Sequence, residues 1–207
     1  MFIETINSET KCVLEKISKS GLTSSFYLAG GTALAIQLGH RESIDLDWFS
    51  EKVFTNSQIK DALSKLGKFE LISEDENTIH GLLDNVRVSF FCYPYENIFP
   101  LISFQEISLA DERDIAAMKI DAMSSRGSKK DFIDLYFLLK RYSPGELLDF
   151  FEKKFKNIDY NKLHILKSFS YFETAEEEPM PKMIEKVEWS EVRGEILKKV
   201  NEFLKNQ

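Results

Sequence analysis

The feature that most restricts how this chain can fold is a glycine pair set between two short apolar segments. Ser25 to Ala29 (SFYLA) is short, apolar and aromatic, and reads as a buried strand. Gly30-Gly31 breaks it. Thr32 to Leu38 reads as a short helix ended by Gly39, and Ser43 to Phe49 (SIDLDWF) alternates polar and apolar as a second strand does. This half of the molecule therefore begins as an α/β unit.

The flanking segments extend the pattern. A first helix is expected over Ser8 to Ser20, capped by Asn7 or Ser8, with Val13, Leu14 and Ile17 as its apolar stripe and Gly21 ending it. Thr55 can cap a helix reaching Leu66 and stopping at Gly67. Strands are expected at Phe69 to Ser73, Thr78 to Leu83 and Val86 to Tyr93, the last two joined by a two-residue turn at Asp84-Asn85. The character changes after about residue 107. Ser108 and Asp111 have capping-box spacing, so a helix should run to about Ser124. Arg126 to Lys130 is a break, and Asp131 to Arg141 is a further helix. Ser143-Pro144-Gly145-Glu146 is a helix start. Helices follow at Asn161 to Phe172 and Ser190 to Leu204, and the acidic stretch Glu173 to Pro181 between them reads as an exposed loop. No internal repeat is visible. The expectation is an α/β core over residues 1–107 and a helical region over 108–207.

Composition removes several classes. With 43% hydrophobic residues in 207, the chain can bury a substantial core. A net charge of -7 excludes a uniformly basic, nucleic-acid-coating surface, although not a local basic patch. Cys12 and Cys92 lie far apart and read as two buried thiols in a reducing compartment. His40, His80 and His164 do not cluster, which argues against zinc. The N-terminus has no signal-peptide pattern and no apolar run is long enough for a bilayer, so the expected location is the cytoplasm, without membrane contact.

The chemistry sits in the second strand and the turn before it. Residues two apart on a strand share a face, about 6.6 Å apart, so Asp45 and Asp47 project together while Leu46 and Trp48 face the other way. Two carboxylates on one face repel each other, and a divalent cation between them removes the repulsion. Mg2+ suits such a site because it needs only one or two carboxylates, completing its shell with water and phosphate oxygens. The glycines allow close backbone approach to a ligand, and the helix after them offers free N–H groups to a phosphate. Together these features imply a nucleoside triphosphate (NTP) held by the turn and its metal held by the aspartates.

The run FYLAGGTALAIQLGHRESIDLDWFS resembles the signature of the AbiEii/AbiGii toxin family, a branch of the nucleotidyltransferase superfamily. That resemblance implies a small mixed sheet flanked by helices, with Gly30 and Gly31 as the turn and Asp45 and Asp47 as catalytic, metal-holding carboxylates. Thr32, Arg41 and Ser43 join them as nucleotide-binding residues. The segment DIAAMKIDAMSSRGSKKDFIDLYFLL resembles the family's second signature. Six Lys/Arg against three Asp between Met118 and Arg141 make it locally basic, as a triphosphate requires. By resemblance Lys119 contacts the nucleotide, Arg126 and Lys130 assist it, and Asp131 is a functional acid or orients the basic groups. Asp134 caps or pairs. Lys129, Lys140 and Arg141 read as solvated surface.

One departure stands out. Nucleotidyltransferases usually carry a third carboxylate on a later strand, as general base or second metal ligand. The corresponding position here is Ser89. Asp131 is then the candidate to activate the acceptor, unless the chain only binds nucleotide or a partner. The resemblance further implies a toxin of a toxin–antitoxin or phage-defence system. Its acceptor would be RNA, tRNA foremost, or a protein, and a cognate antitoxin would be a partner.

Overall fold

The computed structural model describes residues 1–206. Seven strands form one mixed sheet: β1 (Tyr27–Ala29), β2 (Leu46–Ser50), β3 (Phe69–Asp75), β4 (Thr78–Leu83), β5 (Val86–Cys92), β6 (Ile102–Phe104) and β7 (Ile107–Leu109). Their order is β3-β4-β5-β2-β1-β7-β6, with β2 antiparallel to β1 and parallel to β5. Leu46 and Trp48 are fully buried on one face of β2, while Asp47 and Phe49 are half-buried on the other. That alternation keeps the first face in the core and leaves the second to form the floor of a cleft.

Nine helices accompany the sheet among the described residues: α1 (Ser8–Lys19), α2 (Gly30–Leu38), α3 (Asn56–Leu66), α4 (Glu112–Ser125), α5 (Lys129–Leu139), α6 (Pro144–Lys154), α7 (Lys162–Ser168), α8 (Glu173–Glu177) and α9 (Trp189–Lys205). Asn7 caps α1, its side chain accepting from the Thr10 amide at 2.7 Å. Helix α2 is buried almost all round from Thr32 to Gln37, which suits a helix with no polar face. Its one long polar side chain is satisfied internally, Gln37 Nε2 donating to the carbonyls of Ala33 and Ala110. Helices α5 and α6 open with full capping boxes, Ser128 with Asp131 and Ser143 with Glu146.

Several expectations are corrected. β6 and β7 were not anticipated, because three residues are too few to show a period. Ser108 consequently lies within β7, and Asp111 alone caps α4, accepting from the Arg113 amide at 3.0 Å. Cys12 is exposed and Cys92 half-buried, so neither is a core thiol. The helix begun at Asn161 stops at Ser168, and the acidic stretch after it is not a plain loop: it contains α8, whose Ala175 is buried. Lys129 is buried rather than solvated. Its ammonium donates to the Glu178 carbonyl and lies 5.0 Å from the Trp189 ring centroid. Lys140 and Arg141 do lie at the surface, paired with Glu185 and Glu112.

Beyond α8 the chain returns to the sheet end of the molecule. Arg41 and Met183 form an antiparallel bridge, the Glu42 amide donates to the Lys182 carbonyl, and the amides of Ile184 and Glu185 both donate to the His40 carbonyl. No helix among the described residues is long and apolar enough to cross a membrane.

Candidate active site

Register places four residues in a row across the sheet. Ala29 on β1 pairs with Asp47 on β2, Asp47 with Ser89 on β5, and Ser89 with His80 on β4. The chain leaves this row at Ala29 directly into Gly30, which adopts φ +70° and opens α2. A Cβ at Gly30 would lie 2.9 Å from Asp47 Oδ2, so only glycine lets the turn sit this close to the carboxylate. A Cβ at Gly31 would lie 2.6 Å from Arg41 Nη2. Asp45 immediately precedes β2. Its carbonyl accepts a hydrogen bond from the Thr32 hydroxyl, which ties the start of α2 to the start of the aspartate strand.

Above this row opens a cleft of about 840 Å³, lined by Gly30, Gly31, Asp45, Asp47, Ser89 and His80 on the sheet side and by Lys119 from α4, Arg126 just past its end and Lys130 from α5. A second cavity, of about 510 Å³, adjoins it through Arg126 but contains none of the sheet residues. The chemistry therefore belongs to the larger cleft. Burial, then the neighbouring Asp45 charge, push the Asp47 carboxyl above its ordinary value, against the pull of Lys119, Ser89 and Arg126. A carboxylate disfavoured in its charged form is one that a cation would stabilise. Among the described residues no group of three or more His, Cys, Asp or Glu converges as a metal cage. The donor set on offer is the aspartate pair, which fits a cation that takes its remaining ligands from water and phosphate.

The two signature segments are joined beneath the cleft by one buried carboxylate. Asp134 is fully buried. Its Oδ1 accepts from Arg41 Nε at 2.7 Å and lies 2.8 Å from His40 Nε2, and its Oδ2 accepts from Arg41 Nη2 at 2.9 Å and from Lys119 Nζ at 2.7 Å. Lys119 is only 7% exposed and also donates to Asp131 Oδ1 at 2.9 Å. Burial disfavours the lysine charge, but Asp134 and Asp131 outweigh it and hold the ammonium protonated beyond its usual range. The same cations act in reverse on the acids. Against burial, Arg41 and Lys119 keep Asp134 well below the ordinary carboxylate value, and Lys119 and Arg126 keep Asp131 below it.

The structure thus brings together Gly30, Gly31, Asp45, Asp47, Lys119, Arg126 and Lys130 around one cleft. Thr32, Arg41 and Ser43 are placed differently from the expectation of nucleotide contact. The Thr32 and Ser43 hydroxyls lie 2.9 Å from each other, and the Arg41 guanidinium, 2% exposed, donates through three of its N–H groups to Asp134 and the Glu42 carbonyl. None of the three is among the residues lining the cleft. Asp131 also departs from the role of a free acid. Its carboxylate is 1% exposed, is not among the residues lining the cleft, and accepts from Lys119 through Oδ1 and from Arg126 and the Ser128 amide and hydroxyl through Oδ2.

Residue-by-residue reading of the sequence missed His40 as a partner of Asp134, the wall formed by Glu178 and Pro179, and the contact of His80 with Ser89. The last was recoverable. A two-residue turn at Asp84-Asn85 sets Leu83 opposite Val86 and, stepping outward, His80 opposite Ser89.

The fold is that of the nucleotidyltransferases. The structure superposes on JHP933 from Helicobacter pylori with TM-score 0.58 at 13% identity, covering 97% of this chain and 94% of that one. It superposes on the nucleotidyltransferase toxin MenT4 from Mycobacterium tuberculosis H37Rv with TM-score 0.52 at 13% identity, covering 94% and 84%. The AbiEii family, described as a nucleotidyl transferase toxin of a type IV toxin–antitoxin system, matches residues 12–97 and 83–205. The chain belongs to that family. It is also 40% identical over 213 residues to an uncharacterized protein, aq_aa25, of Aquifex aeolicus (strain VF5), covering 97% of this chain and 98% of that one.

Proposed function

We propose that this protein is a Mg2+-dependent nucleotidyltransferase that moves a nucleotide from an NTP onto an RNA acceptor, with tRNA the first to test, in a cytoplasmic toxin–antitoxin pair where a cognate antitoxin restrains it. The observation that carries this reading is the contact between turn and carboxylate: Gly30 sits where any side chain would collide with Asp47. A phosphate cradled on the Gly30-Gly31 amides is thereby brought beside Asp45 and Asp47.

Asp45 and Asp47 would hold the Mg2+, which when bound neutralises phosphate charge and polarises the phosphorus for in-line attack. Lys119, fixed by two acids, presents a permanent positive charge to the triphosphate from the opposite wall, and Arg126 and Lys130 add to it. Asp131 and Asp134 act as positioning residues that hold Lys119 and Arg41 in place. Ser89 supports a second reading, a module that binds nucleotide with little transfer.

Melting with and without NTP and Mg2+ tests the binding step. At a hundredfold excess over Kd, stabilisation is about 2.7 kcal/mol, roughly 5–10 °C for a chain of this size. If no NTP shifts the melt at millimolar concentration, both readings fall. Incubation with labelled NTPs and total tRNA then tests transfer. Labelling abolished in Asp47→Ala supports the enzyme, whereas a melt shift without labelling selects the binding module.

A further inference from the structure

Three facts about the sheet converge on the position where a third carboxylate is absent. Ser89 is the direct β5 neighbour of Asp47, so its side chain stands in the row that faces the cleft. His80, one strand further on β4, is paired with Ser89 in register, and its Nδ1 lies 3.1 Å from Ser89 Oγ. The imidazole packs edge-on to the Phe91 ring, centroids 5.2 Å apart, which together with the Ser89 contact fixes its plane. His80 itself lines the cleft. With Nδ1 occupied by the serine, Nε2 is the ring atom left for the cleft. Neighbouring strands are about 4.8 Å apart, so His80 begins two strands, roughly 10 Å at the backbone, from Asp47. Its side chain shortens that span toward the aspartates.

Resting on the nucleotidyltransferase reading above, we propose that His80, oriented by Ser89, replaces the missing carboxylate as the catalytic general base for the acceptor hydroxyl. Asp131 is 1% exposed, does not line the cleft, and is committed to Lys119, Arg126 and Ser128. Of the carboxylates that line the cleft, Asp45 and Asp47 are assigned to the cation, and Asp121 stands on α4, outside the strand row that holds the third-carboxylate position. The Glu178 carboxylate accepts from the Lys129 amide at 2.8 Å. Imidazole is the side chain whose ordinary pKa best suits proton abstraction near neutrality. In the step, the acceptor O–H proton passes to His80 Nε2 as the oxygen forms a bond to the α-phosphorus. The bond from that phosphorus to the bridging oxygen breaks, and pyrophosphate leaves with the electron pair. Ser89 acts through His80 and is a positioning residue.

The test uses the full-length protein, labelled NTP and total tRNA. His80→Gln should lower the turnover number about 100-fold or more, the usual contribution of a positioned base, with the NTP-and-Mg2+ melt shift and the NTP KM unchanged. Ser89→Ala should lose less. Two rescues separate chemistry from structure: added imidazole should restore part of the turnover of His80→Gly, and the double variant Ser89→Asp/His80→Gln should recover turnover by supplying the carboxylate the row lacks. Turnover of His80→Gln within threefold of the wild type overturns the proposal, and so does failure of both rescues in variants that still bind NTP. Wild-type protein that labels nothing defeats the transfer reading itself and removes this assignment with it, whereas a labelling wild type with an indifferent His80 removes only the assignment.

Discussion

Replacing Asp134 by alanine is the most demanding test of how the cleft is held together. The carboxylate is fully buried and meets the Arg41 guanidinium through two bonds, the His40 ring and the Lys119 ammonium. After the substitution Lys119 still has Asp131, but Arg41 keeps only the Glu42 carbonyl while remaining buried. Removing one partner of a buried ion pair costs about 3–5 kcal/mol, and here one guanidinium is orphaned. For a chain of this length each kcal/mol moves Tm by roughly 2–4 °C, so the expected loss is about 6–20 °C. Urea denaturation should show the midpoint falling with an unchanged slope. The pH dependence has a definite sign. Asp134 is depressed in the folded state, so its contribution is complete above the unfolded carboxylate value and is lost as pH falls toward the folded one. The gap between wild type and variant should therefore be flat from neutral pH to about 5 and narrow below about 4. A destabilisation under about 1 kcal/mol, within the range of a surface ion pair, would refute the view that this carboxylate joins the two signature segments.

Two further substitutions probe the same architecture. Gly31→Ala places a methyl 2.6 Å from Arg41 Nη2, and because Asp134 grips that guanidinium twice it cannot swing aside, so a thermal melt should show a loss of about 1–3 kcal/mol; an unchanged Tm would mean the guanidinium yields. Asp114→Ala removes a fully buried acceptor from the Lys154 ammonium and the Ile98 and Phe99 amides, and urea unfolding should report a cost of about 3–5 kcal/mol. A Lys154→Met/Asp114→Leu pair should cost far less, and if it costs as much as Asp114→Ala the loss is one of packing rather than of an uncompensated charge.

The parts of the fold legible in the sequence are those where one local rule decides. Periodicity and caps placed α1, α3, α5 and α9 within a few residues, and the Asp84-Asn85 turn, with φ +49° and +67°, fixed the hairpin and hence the row containing Ser89. The glycine pair and Asp47 were legible because close approach and strand facing are properties of short segments, whereas Asp45, expected within the strand, lies just before it and still lines the cleft. What escaped depended on contacts distant in sequence. Nothing near Arg41 announces a carboxylate 93 positions later, so its burial against Asp134 is not visible in the sequence. Asp131 sat in the right motif, yet its burial and its bonds to Lys119, Arg126 and Ser128 appear only once α4 and α5 are folded against each other. Lys129 was misplaced for the same reason, its burial being imposed by residues 178 and 189.

The returning segment that bridges Arg41 to Met183 has a consequence for the order in which the protein is made. The sheet, the glycine turn and the aspartate strand all lie within the first 110 positions, but the cleft wall at Glu178 and Pro179 and the cover over His40 and Arg41 leave the ribosome roughly 70 residues later. A nascent chain can thus assemble its nucleotide-facing strands well before it can enclose a substrate. Residues 178–185 set the moment at which the cleft becomes complete.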